Sequence, residues 1–180
     1  MSAPGLTSLE GQAAREVLLE DSLRGADIVA PFGGPLVDVG SGGGVPGIPL
    51  AVVLPETEVV LLEATRRKCD FLERWAPPNA RVVRGRVEEQ PTDWAGVAVA
   101  KALAQPTTAV EWCLPLVREG GAVVLWVGRS ADADRVAAAA AKVAGRFVES
   151  PPGFLVIRKV AATPAGFPRR PGMAKKRPLA

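Results

Sequence analysis

The stretch DVGSGGGVPGIPL, Asp38 to Leu50, sets five glycines and two prolines directly behind the short, mostly apolar run Leu36 to Val39. A strand ending at Val39 and a helix beginning near Gly47 predict a loop at the carboxyl edge of a sheet. Open α/β folds bind their ligands at that edge. Glycine lets a ligand approach the backbone without meeting a Cβ, and a bare turn needs only one or two such residues. The loop therefore reads as a binding loop.

Outward from the loop, short apolar runs alternate with helical segments, the pattern of a parallel sheet with helices on both faces. Strands are predicted at Leu36 to Val39, Glu58 to Glu63, Arg81 to Arg84, Val97 to Lys101 and Ala122 to Val127. Helices are predicted at Ile48 to Leu54, Arg66 to Trp75 and Thr107 to Val117, with an earlier one at Ser8 to Leu23 that Thr7 and Glu10 would cap. A further helix follows Ser130 as its cap, carries Asp132 and Asp134 at its positive end, buries Val136, Ala140 and Val143, and closes at Gly145. Arg146 to Glu149 and Phe154 to Val160 flank a Pro-Pro-Gly turn and read as an antiparallel hairpin. The fold class is α/β: a doubly wound, mostly parallel sheet ending in a hairpin.

A chain of 180 residues suits one such domain. It divides into a short helical segment at 1–34, the α/β domain at 35–161 and a Pro-rich basic tail at 162–180. All 19 acidic residues lie at or before Glu149, whereas seven of the 22 basic ones follow it. The body thus holds 15 basic against 19 acidic residues, a net charge of −4, and the tail is wholly basic. Low apolar content in the tail predicts an end that is mobile or held by a partner.

There is no histidine, which excludes imidazole triads, His metal sites and His proton shuttles, and no metal site is expected. Cys69 and Cys113, far apart in predicted helices, read as buried thiols. No secretory signal pattern is visible at the amino end, and the glycines and prolines of the one long uncharged run do not suit a membrane span. A cytoplasmic protein with no membrane partner is expected.

Two ligand types use such a loop. A G-x-G-x-x-G register exists at Gly42, Gly44 and Gly47, but it starts late and contains Pro46, which has no amide hydrogen for a pyrophosphate. The earlier register, Asp38 with Gly40, Gly42 and Gly44, puts a carboxylate beside the glycines and suits a ligand with an ammonium group and no phosphate, such as S-adenosylmethionine. Glu63 ends the second predicted strand 23 residues after Gly40, the spacing of an acid that accepts from a ribose diol. That spacing is shared by dinucleotide sites.

Five strings together resemble one family: DVGSGGGVPGIPLA at the loop, LLEATRRKCDFL after the second strand, GRVEE at Gly85 to Glu89, EWCLPLVREGG from Glu111, and VIRKVAATPAGFPRRPGMAKKRPL at the end. The chain is similar, from about Glu16 onward, to the bacterial small-subunit ribosomal RNA guanine-N7 methyltransferases, the glucose-inhibited division protein B family. The resemblance implies a Rossmann-like class I methyltransferase that moves the methyl of S-adenosylmethionine to N7 of a guanine. By position it implies Asp38, Gly40, Ser41, Gly42 and Gly44 around the methionine part, Glu63 at the ribose, and Arg86, Val87 and Glu88 at the adenine. Lys101 is a candidate contact to substrate or cofactor. Arg169, Arg170, Lys175, Lys176 and Arg177 are candidate RNA contacts, with small-subunit ribosomal RNA or the subunit as partner and a monomer as the acting form.

The chain departs from the family pattern at Val45, Lys101 and Val127 and in the amino-terminal region. A diverged enzyme acting on a small molecule or another RNA, or a non-catalytic cofactor- or RNA-binding relative, are the alternatives. Guanine N7 already carries a free lone pair, so no side-chain base is expected, consistent with a chain lacking histidine.

Overall fold

The computed structural model describes residues 19–128, 131–148 and 150–180. Most of the helix expected at Ser8 to Leu23, and the Ser130 cap, lie outside them. Among the described residues the chain begins with two short turns of helix, α1 (Asp21–Leu23) and α2 (Ala26–Val29). It then runs β1 (Leu36–Val39), α3 (Gly47–Val53), β2 (Val59–Glu63), α4 (Arg66–Trp75), β3 (Ala80–Arg84), β4 (Ala95–Lys101) and α5 (Pro106–Cys113). After these come β5 (Val117–Trp126), α6 (Ala133–Ala141), β6 (Gly145–Val148), β7 (Phe154–Lys159) and a short α7 (Met173–Lys176).

Seven strands form one sheet in the order β3-β2-β1-β4-β5-β7-β6. Strands β3, β2, β1, β4 and β5 are parallel, and β7 runs antiparallel between β5 and β6. Every residue of β1 and β2 is buried, because helices cover both faces of these central strands; such strands read as continuous apolar runs rather than alternating ones. The edge strand β3 instead exposes Arg81 and Arg84, and Arg81 is paired with Glu58. Charge on an edge discourages pairing with another sheet. The winding reverses between β1 and β4, so a crevice opens at the carboxyl ends of these two strands.

Three sequence expectations need correction. The helix expected through Val117 stops at Cys113 and gives way to a tight turn at Leu114–Leu116, because Pro115 has no amide hydrogen and disfavours helix in the residue before it. Strand β5 therefore starts at Val117, five residues before Ala122, with a break in register against β4. Helix α6 is capped by Asp132, whose carboxylate accepts from the Arg135 amide at 3.0 Å. The left-handed residue that ends this region is Ala144, with φ 56°, and Gly145 already belongs to β6. Val136, Ala140 and Val143 are buried as expected, and Cys69 and Cys113 are buried free thiols.

The tail is tied back to the body by its own contacts. Arg169 grips both carboxylate oxygens of Glu111 on α5, the Gly172 amide donates to Glu88 at 3.1 Å, and Lys142 donates to the Leu179 carbonyl. Its path is set where β7 ends. There Lys159, 1% exposed, donates to Asp93, Thr163 and the carbonyls of Leu114 and Val117 at 2.7–3.1 Å. Burial lowers the Lys159 pKa, and the bond to Asp93 opposes that. No helix among the described residues is long and apolar enough to cross a membrane. Lys159→Ala removes the interior donor shared by Asp93, Thr163 and the Leu114 and Val117 carbonyls and should cost about 3 kcal/mol in urea denaturation. A loss below ~1 kcal/mol would show that the ammonium is not the anchor of the returning chain.

Candidate cofactor and substrate site

The loop after β1 is built from the inside. Asp38 is 1% exposed, and its Oδ2 accepts from the Gly47 amide at 3.0 Å, at the start of α3. A Cβ on Gly47 would lie 2.6 Å from that same oxygen and 2.5 Å from Leu61 Cδ2, so the close approach requires glycine. The Ser41 hydroxyl, also buried, donates to the Asp38 carbonyl at 2.8 Å, and the Gly44 amide returns to the Ser41 carbonyl at 2.7 Å. Glu63, at the end of β2, braces the loop from the other side. Its Oε2 accepts from the Gly42 amide at 3.1 Å and its Oε1 from the Thr65 amide at 2.8 Å. Gly40, with φ 71°, admits the Leu103 side chain where a Cβ would meet it at 2.4 Å.

Burial pushes the Asp38 carboxyl up to about 7, against the pull of hydrogen bonds from Gly47 and Ser41, and the charge of Glu63 pushes the same way. A buried acid this close to the start of α3 decides what the loop can bind. The Gly47 amide is taken by Asp38, the Ile48 amide by the Gly44 carbonyl, and positions 46 and 49 are prolines. A diphosphate would find no free donor in the first turn and an acid already in its place.

Two crevices open at the carboxyl edge. The smaller, of about 260 Å³, is lined by Val39, Gly40, Leu62, Glu63, Ala64, Lys68, the Gly85 to Glu88 segment, Ala102, Leu103, Trp112 and Lys175. The larger, of about 470 Å³, lies between the ends of β4 and β5 and includes Asp21, Arg24, Lys101, Gln105 and Trp126. Ala102 and Leu103 line both. Ala102 holds a left-handed backbone, φ 53°, which is uncommon for a residue with a Cβ and tends to occur where a site dictates the chain path.

Among the residues expected from sequence, Gly40, Glu63, Arg86, Val87 and Glu88 line the smaller crevice together. Asp38, Ser41, Gly42 and Gly44 do not line it; the first two are buried and brace the loop from behind. Lys101 lies in the larger crevice, its Nζ 2.7 Å from Asp21 Oδ2. Arg169 is bound to Glu111, so it anchors the tail rather than offering a free cation; Arg170, Lys175, Lys176 and Arg177 are exposed. Lys175 sits 5.4 Å from the centre of the Trp112 ring. Leu103, Trp112 and Asp21 were not read as site residues, and Lys175 was expected only as an RNA contact and not in the wall of the smaller crevice. They come from four separate parts of the chain, and only a fold brings them together.

The donor set fits an adenosyl group. Glu63 keeps lone pairs beyond the two its amide bonds occupy, the neighbouring walls at Leu62, Val87 and Leu103 are apolar, and the crevice lacks free phosphate donors at the helix start. A doubly wound sheet with this crevice defines the class, a Rossmann-like S-adenosylmethionine-dependent methyltransferase. Over 91% of its length the chain resembles the T. thermophilus 16S rRNA N2 methyltransferase solved with AdoMet and guanosine, with a TM-score of 0.60 and 19% identity across 45% of that chain. That likeness concerns the fold.

Residues 5–152 match the GidB family model, rRNA small subunit methyltransferase G, and the chain belongs to that family. It is 36% identical to the ribosomal RNA small subunit methyltransferase G of Rubrobacter xylanophilus, over 90% of this chain and 69% of the relative. It is 34% identical to that of Syntrophomonas wolfei, over 89% and 84%.

The raised Asp38 pKa has a signed consequence. The unfolded acid ionises near pH 4 and the folded one near 7, so folded protein holds the extra proton between them and stability falls as pH rises through that window. Asp38→Asn keeps an oxygen acceptor for Gly47 and has no proton to lose. Urea denaturation from pH 4 to 8 should show the parent losing a few kcal/mol relative to Asp38→Asn, on the order of 1.4 kcal/mol for each unit of pKa displacement. Parallel stability curves for the two proteins would contradict the assignment.

Proposed function

We propose that this chain transfers the methyl group of S-adenosylmethionine to N7 of a guanine in small-subunit ribosomal RNA, acting as a monomer in the cytoplasm where that RNA resides. The observation that carries the reading is the pair of crevices meeting at Ala102 and Leu103, one with the Glu63 carboxylate and the other open at the ends of β4 and β5. A donor and an acceptor base seated on either side of that wall come within reach of each other.

When bound, S-adenosylmethionine supplies an electrophilic methyl on a positively charged sulfur. In this reading Glu63 accepts from the ribose hydroxyls, Val87 packs on the adenine, and Arg86 and Glu88 flank it. Gly40 lets Leu103 close over the methionine end, and Asp38 and Ser41 act as positioning residues that hold the loop's shape. Guanine N7 needs no deprotonation, so the chain contributes orientation and exclusion of water rather than a base. Fixing two reactants in line lowers such a barrier by several kcal/mol, about 7–11 in the best intramolecular cases. Arg170, Lys175, Lys176 and Arg177, exposed on a tail that returns to the mouth of the site, neutralise RNA phosphates. Affinity should then fall with added salt.

Labelled methyl transfer to small ribosomal subunits and to bare RNA, followed by mapping of the modified base, tests the reading. Label on one guanine N7 is the expected result, and label on any other atom or on no RNA would overturn it. In the same assay Glu63→Ala should raise the S-adenosylmethionine KM about tenfold to a hundredfold, the size of a lost hydrogen bond to a charged group.

A further inference from the structure

The larger crevice holds an ion pair that methyl-donor binding leaves without a role. Asp21 and Lys101, 80 residues apart, meet with Oδ2 and Nζ at 2.7 Å, their side chains 31% and 15% exposed. Asp21 is held from two further directions, at its backbone carbonyl and at its other carboxylate oxygen. Trp126 Nε1 donates to its carbonyl at 2.8 Å, and Arg24 donates to Oδ1 at 3.1 Å while also reaching the Pro152 carbonyl. Lys101 ends β4 directly before the Ala102 and Leu103 wall.

An ammonium has three protons and a carboxylate about four lone-pair sites, so neither group is limited to a single partner. Side by side they present a donor next to an acceptor. Guanine offers the complement on one edge: O6 accepts, and the adjacent N1–H and exocyclic amine donate. Adenine reverses the pattern. Uracil shares O4 and N3–H but has no N7 to methylate.

Resting on the methyl-transfer reading above, we propose that Lys101 donates to O6 and Asp21 accepts from N1–H of the target guanine, so that this pair selects the base. In the transfer, the N7 lone pair forms the bond to the methyl carbon as the carbon–sulfur pair leaves with sulfur. The products are a neutral thioether and a cationic 7-methylguanine, and no proton moves. Positive charge spreading into the ring makes N1–H a stronger donor, so its bond to Asp21 tightens in the transition state and raises kcat. Arg24 and Lys101 balance Asp21 before the base arrives.

The test uses RNA in which the mapped target guanosine is replaced, with the unmutated protein. Inosine keeps O6 and N1–H and should support transfer within about tenfold of guanosine, whereas 2-aminopurine keeps N7 but lacks both groups and should lose at least ~100-fold. Asp21→Asn should lower kcat/KM on guanosine RNA by ~100-fold, while calorimetric affinity for S-adenosylhomocysteine stays unchanged and certifies the fold. Transfer to 2-aminopurine equal to that to guanosine, or wild-type kcat/KM in Asp21→Asn, overturns the pairing alone. Absence of transfer to guanosine RNA by the unmutated protein overturns the methyl-transfer reading and the pairing with it.

Discussion

A single buried hydrogen bond, from the Gly47 amide to Asp38, governs the shape of this molecule's ligand edge. It ties the central strand to the start of the next helix across nine residues of chain, and everything between must fold into the space left. The carboxylate sits in the interior at the cost of a raised pKa, and it fills the position a phosphate would take at the helix start. Glu63 completes the frame from the neighbouring strand by accepting two amides, one of them in the loop. The glycines are therefore braced from both sides by acids, beside the crevice that Gly40 and Glu63 line.

The far end of the chain is drawn into the same region. Lys159 fixes where β7 ends, Arg169 clamps the tail to α5 through Glu111, and Gly172 binds the crevice residue Glu88. Lys175, exposed on this tail, is thereby set against Trp112 in the wall of the crevice. Bidentate pairing of Arg169 with a carboxylate that is 2% exposed is the strongest of these ties, because both partners are held in one geometry.

Much of this was legible in the sequence. The continuous apolar runs of β1 and β2, flanked by glycine and proline, marked buried parallel strands, and the Pro-Pro-Gly turn marked the hairpin. Glu63 was marked by its place at the end of the second strand and the Arg86 to Glu88 segment by the family resemblance, and both line the smaller crevice because strand ends converge in this fold. The face of a side chain was not. Asp38 was read from its carboxylate beside the glycines, and its burial beneath the loop, bonded to the Gly47 amide, is set by the pleat. Pro115 cut the helix that periodicity extended through Val117. Leu103, Trp112 and Asp21 had no local signature at all, since each enters the site through tertiary packing alone. The tail's return rests on Glu111, an acid whose burial no local pattern announces.

A loop capped by Asp38 should accept an adenosyl group and refuse a diphosphate. Isothermal titration of the full chain with S-adenosylhomocysteine and, separately, with NAD measures this. Stoichiometric binding of the first, with one site per chain, and no heat from the second are expected; saturable binding of NAD that S-adenosylhomocysteine displaces would overturn this reading of the loop.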